Sequence, residues 1–359
     1  MRWRAGETPA SRRASRPAER SSCTVPRHDT WRGWRAGRPL AMLLLALPLF
    51  AQQVASTPSG VLVAHDGVIE LGAWKTDGVK NPTGVVVGND RAAVLDAIAN
   101  RVCIIDFKRN KAETTTANET PIAGVFISST LYLLGRDARA LERIGADGAR
   151  ASVVLAADPA FLRERNGILY VYSRTAGIVQ EITTAPFAVR RTLRIAPFAS
   201  DFELSGDSGY LVYPRAAKIR TFSMADMKTT GELAAGAVPV DLAFAGRSLA
   251  LADPSAKRVW LVEGAQSVSQ AFARGFLRGL LGLGLFDGGR DSAFPTGIDR
   301  VVIRGANWIA YDSSSGTLYR FTKSKSSVIA RGVAPGTYAV TPDGVVFWRN
   351  GMLVAEKGN

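Results

Sequence analysis

Ser248-Leu-Ala-Leu-Ala-Asp253-Pro-Ser-Ala-Lys-Arg258-Val-Trp-Leu-Val262 decides the fold. Two short apolar runs flank a Pro-Ser-Ala-Lys turn, so the stretch reads as two antiparallel strands joined by a hairpin. The first strand ends on a small polar group, Asp253. Working outward, the same unit recurs: a proline, an apolar strand, a turn, a second strand with a small polar end, a turn, and a third strand. Copies read as Ala92–Asp96 with Arg101–Asp106, Leu131–Gly135 with Ala140–Ile144, and Ile168–Ser173 with Gly177–Ile182. They continue as Tyr210–Tyr213 with Lys218–Phe222, Trp308–Asp312 with Thr317–Phe321, and Val345–Trp348 with Met352–Ala355. The prolines ahead of them, at 82, 121, 159, 197, 239, 295 and 335, are 39, 38, 38, 42, 56 and 40 residues apart. A period near forty with several strands per unit is the signature of a propeller blade, a twisted sheet that must stack on its neighbours to bury its faces. Proline suits the junction between blades, where no ladder N–H is needed. The expectation is an all-β, seven-bladed β-propeller. Its last copy ends after three strands, and the strand-like Val61–Trp74 is expected to supply the fourth and so close the ring.

Leu169-Tyr-Val-Tyr-Ser173, Leu249–Val262 and the Pro-x-Gly junctions resemble the NHL and YVTN repeat propellers, over about residues 60–359. The resemblance implies a central funnel as the place for ligands. It also implies a choice among proteins, RNA, glycans and small molecules, with lactonases and lyases among the relatives. It therefore speaks to fold more than to function.

Composition narrows the rest. The chain has 359 residues, is 47% hydrophobic, and carries a formal net charge of +14, with 2 Cys and 2 His. So apolar a chain is not a disordered tail, and two cysteines cannot build a disulfide scaffold or a zinc ribbon. Half of the net charge sits in residues 1–39, where ten arginines face Glu7, Glu19 and Asp29. The apolar run Leu40–Ala51 follows, too short to span a bilayer and matched to a signal-peptide core with a small residue for cleavage. Residues 1–51 are therefore expected to be a leader, removed on export or placed upstream of the true start. Residues 52–359 are expected to form a secreted or periplasmic monomer without a transmembrane span. One cysteine, Cys103, and one histidine, His65, would remain, so catalysis would rest on carboxylates. Cys103 lies in an apolar strand and reads as core. Nucleic acid is not an expected partner, since the residual charge is spread through every copy.

The interval from Pro239 to Pro295 is about sixteen residues too long, and the excess defines an insert at about 264–294. Phe272, Phe276, Leu281 and Phe286 share it with Arg274 and Arg278, which would lie on one face of a helix. It reads either as an apolar lid or docking loop or as a self-packed surface loop.

Asp201 and Asp241 open the innermost strands of two copies, and Asp299 sits near the equivalent point of the next. Thr83, Thr296 and Thr337 occupy similar junction positions. Three converging carboxylates could hold a hard cation. The competing reading has each Asp accepting backbone amides at its blade junction. Basic residues of the middle hairpins, among them Arg101, Arg136, Arg174, Arg215, Lys257 and Arg258, would favour an anion if they shared a face, but Asp96, Asp137, Asp253 and Asp312 interleave with them. The expected function is an exported binding or scaffold module that uses its funnel face and the 264–294 loop. Its partner would be a protein, a glycan or a small molecule. The alternative is a metal-assisted, lactonase-like hydrolase or lyase acting through the funnel carboxylates. No cofactor is indicated, and no catalytic motif stands at a recognisable spacing.

Overall fold

The strands form eight sheets, not seven, each antiparallel and in chain order. The computed structural model describes residues 52–235, 238–245, 248–262, 292–305, 307–321 and 326–358. Blade 1 is β1 (Gln52–Thr57), β2 (Gly60–His65), β3 (Val68–Leu71) and β4 (Trp74–Asp77). Blade 2 is β5 (Gly84–Val87), β6 (Arg91–Asp96), β7 (Arg101–Asp106) and β8 (Lys111–Thr116). Blade 3 is β9 (Pro121–Ile127), β10 (Thr130–Gly135), β11 (Ala140–Ile144) and β12 (Arg150–Val154). Blade 4 is β13 (Pro159–Arg165), β14 (Ile168–Ser173), β15 (Ile178–Thr184) and β16 (Phe187–Arg194). Blade 5 is β17 (Asp201–Ser205), β18 (Ser208–Tyr213), β19 (Lys218–Ser223) and β20 (Lys228–Ala234). Blade 6 is β21 (Asp241–Ala245), β22 (Ser248–Asp253), β23 (Arg258–Val262) and β24 (Ser292–Ala293). Blade 7 is β25 (Arg300–Arg304), β26 (Asn307–Asp312), β27 (Thr317–Phe321) and β28 (Ser326–Ala330). Blade 8 has three strands, β29 (Tyr338–Thr341), β30 (Gly344–Arg349) and β31 (Met352–Lys357).

The expected closing strand is corrected. Val61–Trp74 turns back at Asp66-Gly67 and again at Gly72, all left-handed, and so contributes to β2, β3 and β4 of a blade of its own. Blade 1 instead closes the ring by packing against blade 8. The Val54 N–H donates to Gly336 O at 2.8 Å, and the His65 ring lies 5.0 Å from that of Trp348. Among the described residues no strand pairs with the outer edge of β31. Its Met352 and Leu353 are exposed, and the Arg320 guanidinium donates to Lys357 O at its end.

The polar end of the second strand is a turn device. Asp96 Oδ1 accepts from the amides of Ile98 (3.1 Å) and Ala99 (2.9 Å), and Asp312 Oδ1 from that of Ser314 (2.9 Å). The Asp thereby satisfies donors that a tight turn leaves unpaired. The last residue of these turns is left-handed in six blades, at Asn100, Arg139, Gly177, Ala217, Lys257 and Gly316. At Gly316 the next inter-blade linker also passes so close that a Cβ would meet Val333 O at 2.8 Å.

Among the described residues the core divides into eight apolar clusters, one per blade junction. The seven between consecutive blades hold seven to ten buried residues each. The eighth, between blades 8 and 1, holds only Val54, Val63 and Ala339, with Val61 and Trp348 against them, which makes it the thinnest junction. Cys103 is fully buried between blades 1 and 2, and burial pushes its thiol above the ordinary range, as a core residue requires.

Candidate functional site in the axial channel

All inner strands run the same way, from an upper face, where the inter-blade linkers and middle hairpins lie, to a lower face. One register position near the upper end, opposite the penultimate residue of the second strand, is shared by Gln53, Gly84, Ala123, Phe161, Asp201, Asp241 and Arg300. Its chemistry changes around the axis from neutral through aromatic and acidic to basic.

Asp201 and Asp241 use this position identically. Asp201 Oδ2 accepts from the amide of Leu242 on the next inner strand at 3.0 Å, and Asp241 Oδ2 accepts from that of Val301 at 2.8 Å. Each carboxylate thus stitches its blade to the following one. Two residues further down, Arg163 on β13 reaches Glu203 on β17 through Nη2 at 2.6 Å and lies 3.5 Å from Asp201. Burial raises the carboxyls of Asp201 and Glu203 above their ordinary range, against the opposing pull of Arg163. Burial and the neighbouring Asp201 charge raise Asp241 well above its own.

This cluster sets a pH dependence. A carboxyl raised by folding holds its proton in the native state to a higher pH than in the unfolded chain. Its contribution to stability is therefore full below about pH 4, near the unfolded value, and is lost as pH rises through the raised range. Asp241→Asn keeps an acceptor for the Val301 amide and removes the charge. It is expected to leave the melting temperature unchanged near pH 4 and to raise it progressively toward pH 8, by roughly 2–4 °C for each kcal/mol relieved. Equal destabilisation at every pH, read by thermal melting, would show that the charge is not the governing feature.

The other expected residues are used elsewhere. Asp299 precedes the shared position and turns to the middle hairpin of its own blade, where Oδ1 accepts from the Ser313 amide at 3.1 Å and Oδ2 from the Ser313 hydroxyl. Thr83 Oγ1 donates to Leu95 O, Thr337 Oγ1 to Ala334 O, and Thr296 pairs with the Tyr319 hydroxyl at 2.8 Å. Among the described residues no three His, Cys, Asp or Glu side chains form a group that could hold a metal ion. The hairpin cations are mostly exposed, whereas Arg174 is partly buried over the Phe161 ring at 5.8 Å. Phe272, Arg274, Phe276, Arg278, Leu281 and Phe286 lie outside the described residues. The chain leaves for that segment at the lower end of β23 and rejoins blade 6 at Ser292, opposite Val259.

Sequence reasoning missed the opposite flank of the channel. Here a cavity of about 310 Å³ lies between the inner strands of blades 7, 8, 1 and 2, lined among others by Gln53, Ser56, Arg300, Arg304, Gly336 and Tyr338. Arg304 donates to Val340 O at 3.0 Å. Arg300, Gln53 and the Tyr338 hydroxyl have no hydrogen-bond or ion-pair partner among the described residues. Burial holds the Tyr338 phenol well above its ordinary range, so the hydroxyl stays protonated and able to donate. Gly336 leaves room for Gln53, since a Cβ there would stand 2.7 Å from its amide nitrogen. The signal that could have found Arg300 was the register position it shares with Asp201 and Asp241.

No helix among the described residues is long and apolar enough to cross a membrane. No family model matches the sequence, and no curated protein matches it either. The fold has many solved counterparts. Virginiamycin B lyase from Staphylococcus aureus superposes with a TM-score of 0.55 at 15% identity, covering 74% of this chain and 90% of its own. BamB from Moraxella catarrhalis gives 0.58 at 11%, covering 82% and 92%, and the computationally designed Ika8 protein gives 0.59 at 10%, covering 84% and 98%. At these identities the likeness establishes a β-propeller, a fold that fits a scaffold or binding module, and carries no activity across.

Proposed function

We propose that the chain is an exported binding propeller whose ligand occupies the axial channel. One observation carries this reading: a cavity at the inner strands lined by Arg300, Gln53 and Tyr338, whose polar groups have no hydrogen-bond or ion-pair partner among the described residues. Polar groups in such a place are satisfied by water or by a ligand. The basic residues of the leader and the apolar run before Ala51 support export, with a mature chain starting near Gln52. The blade grammar supports kinship with NHL-like or YVTN-like repeats. In this proposal the 264–294 segment serves as a separate contact for a partner, since its sequence places Phe272, Phe276, Leu281 and Phe286 beside Arg274 and Arg278. A metal-assisted hydrolase is the weaker reading, since Asp201 and Asp241 already accept backbone amides and Asp299 is turned to Ser313.

The test uses the mature chain, whose first residue by mass spectrometry is expected near Gln52. It is screened by thermal shift against a panel of water-soluble metabolites, beside Ala55→Trp and Ser56→Trp, which fill the cavity from two positions on β1. At least one compound is expected to raise the melting temperature of the native chain and not that of either folded variant. Shifts that survive both plugs, or no shift at all, would overturn a ligand site in the channel.

A further inference from the structure

Arg300 and Asp241 sit at the same register position on neighbouring inner strands, yet they form no ion pair. The Arg300 charge acts on the Asp241 carboxyl, so the two share one electrostatic neighbourhood. Arg300 leans toward the cavity side, with Gln53 and Tyr338. Asp241 spends Oδ2 on the Val301 amide, while its Oδ1 accepts from nothing among the described residues. Among the described residues Arg163 is the ion-pair partner within the acidic flank of Asp201, Glu203 and Asp241. The opposite flank presents Arg300 at the same level. The channel mouth is thus divided, an unsatisfied donor set on one side and an unsatisfied carboxylate oxygen on the other.

A purely anionic ligand would be attracted by Arg300 and repelled by the three carboxylates. A purely cationic one would meet the reverse. Opposite charges joined in one small molecule satisfy both flanks. We propose that the site takes a small zwitterion, carrying a carboxylate and an ammonium a few bonds apart in the manner of a free amino acid, with the carboxylate on Arg300, Gln53 and Tyr338 and the ammonium on Asp241. A guanidinium with an amide and a hydroxyl beside it offers the several directed donors that a carboxylate accepts. The cavity lined by Arg300, Gln53 and Tyr338 lies at the low end of the volumes that hold ligands and would take the carboxylate end, while Asp241, outside its lining, would take the ammonium from the neighbouring inner strand. An ammonium beside Asp241 would offset the neighbouring Asp201 charge and favour the ionised carboxylate. This inference rests on the binding reading above.

Titration calorimetry on the mature chain separates the outcomes. The probes are glycine, alanine, glutamine and 4-aminobutyrate, with acetate and methylammonium as the halves. At least one zwitterion is expected to bind roughly tenfold or more tightly than either half, as one well-placed charge contact warrants. Arg300→Gln and Asp241→Asn are each expected to weaken it by a similar factor while the protein stays folded. Asp241→Asn is expected to do so while melting higher at neutral pH, an outcome a merely structural role would not give. Acetate binding as well as the zwitterions, an unchanged affinity in both variants, or no zwitterion binding would overturn the inference. If metabolites blocked by the cavity-filling variants exist but are not zwitterions, this inference falls and the channel site stands. If none is blocked, the channel site falls with it.

Discussion

A chain lacking residues 52–80 is expected to lose its cooperative thermal transition and to aggregate. Blade 1 is a full four-stranded sheet with both faces committed. On one side Leu62, Ala64 and Ile69 pack with Ala92, Val94, Cys103 and Ile105 of blade 2. On the other, Val54 and Val63 meet Ala339, and His65 lies over Trp348. Burying a large aliphatic side chain is worth about 1.5–3 kcal/mol, so a few of them match the roughly 5–15 kcal/mol by which domains are stable. Deletion would also bare the facing apolar surfaces of blades 2 and 8, which are prone to association. Circular dichroism melting and light scattering read the outcome directly. A truncated chain that melts at the full-length midpoint would show that blade 1 is dispensable and that the ring closes without it.

Arg191→Ala is expected to cost about 3–5 kcal/mol, the usual penalty for leaving a buried charge without its partner. Glu181 on β15 has 0% exposure. Arg191 on the adjacent β16 donates to its Oε2 through Nε at 3.0 Å and again through Nη2. The same guanidinium crosses to blade 5, donating to Ala225 O at 2.6 Å and Met224 O at 2.8 Å. The only other cation near Glu181 among the described residues is Arg190, 3.5 Å from Oε1 and itself largely exposed. Arg191→Lys keeps the charge and loses the fork, so it should recover only part of the loss. Glu181→Gln in the Arg191→Ala background should recover more, because it removes the stranded charge. Urea unfolding of the three variants provides the check, and a loss under about 1 kcal/mol in Arg191→Ala would mean that water already screens Glu181.

The forty-residue period made the fold legible because each blade from the second on has a proline at or near its junction, and five of them (blades 2, 3, 4, 6 and 7) close the second strand with Asp, Ser or Gly. Blade 1 escaped because it breaks that grammar. Its outer strands are four residues long, and its inner strand starts only 32 residues before the next, so its turns were read as interruptions of one strand. Asp201 and Asp241 could be marked from sequence because they open strands. Which amides they accept depends on the neighbouring blade, and that is set by register across forty residues. Gln53, Arg300 and Tyr338 are ordinary polar residues in their own blades. They become a set only when blades 7, 8 and 1 are brought together around the axis.

The described chain crosses seven of the eight junctions through covalent linkers of four to seven residues. The remaining one, from blade 8 to blade 1, is held by non-covalent contact and by the smallest of the apolar clusters. The channel cavity straddles this seam, with β25 and β29 on one side and β1 and β5 on the other. A molecule seated there would act as a keystone, bracing the one seam of the described ring that no covalent linker crosses.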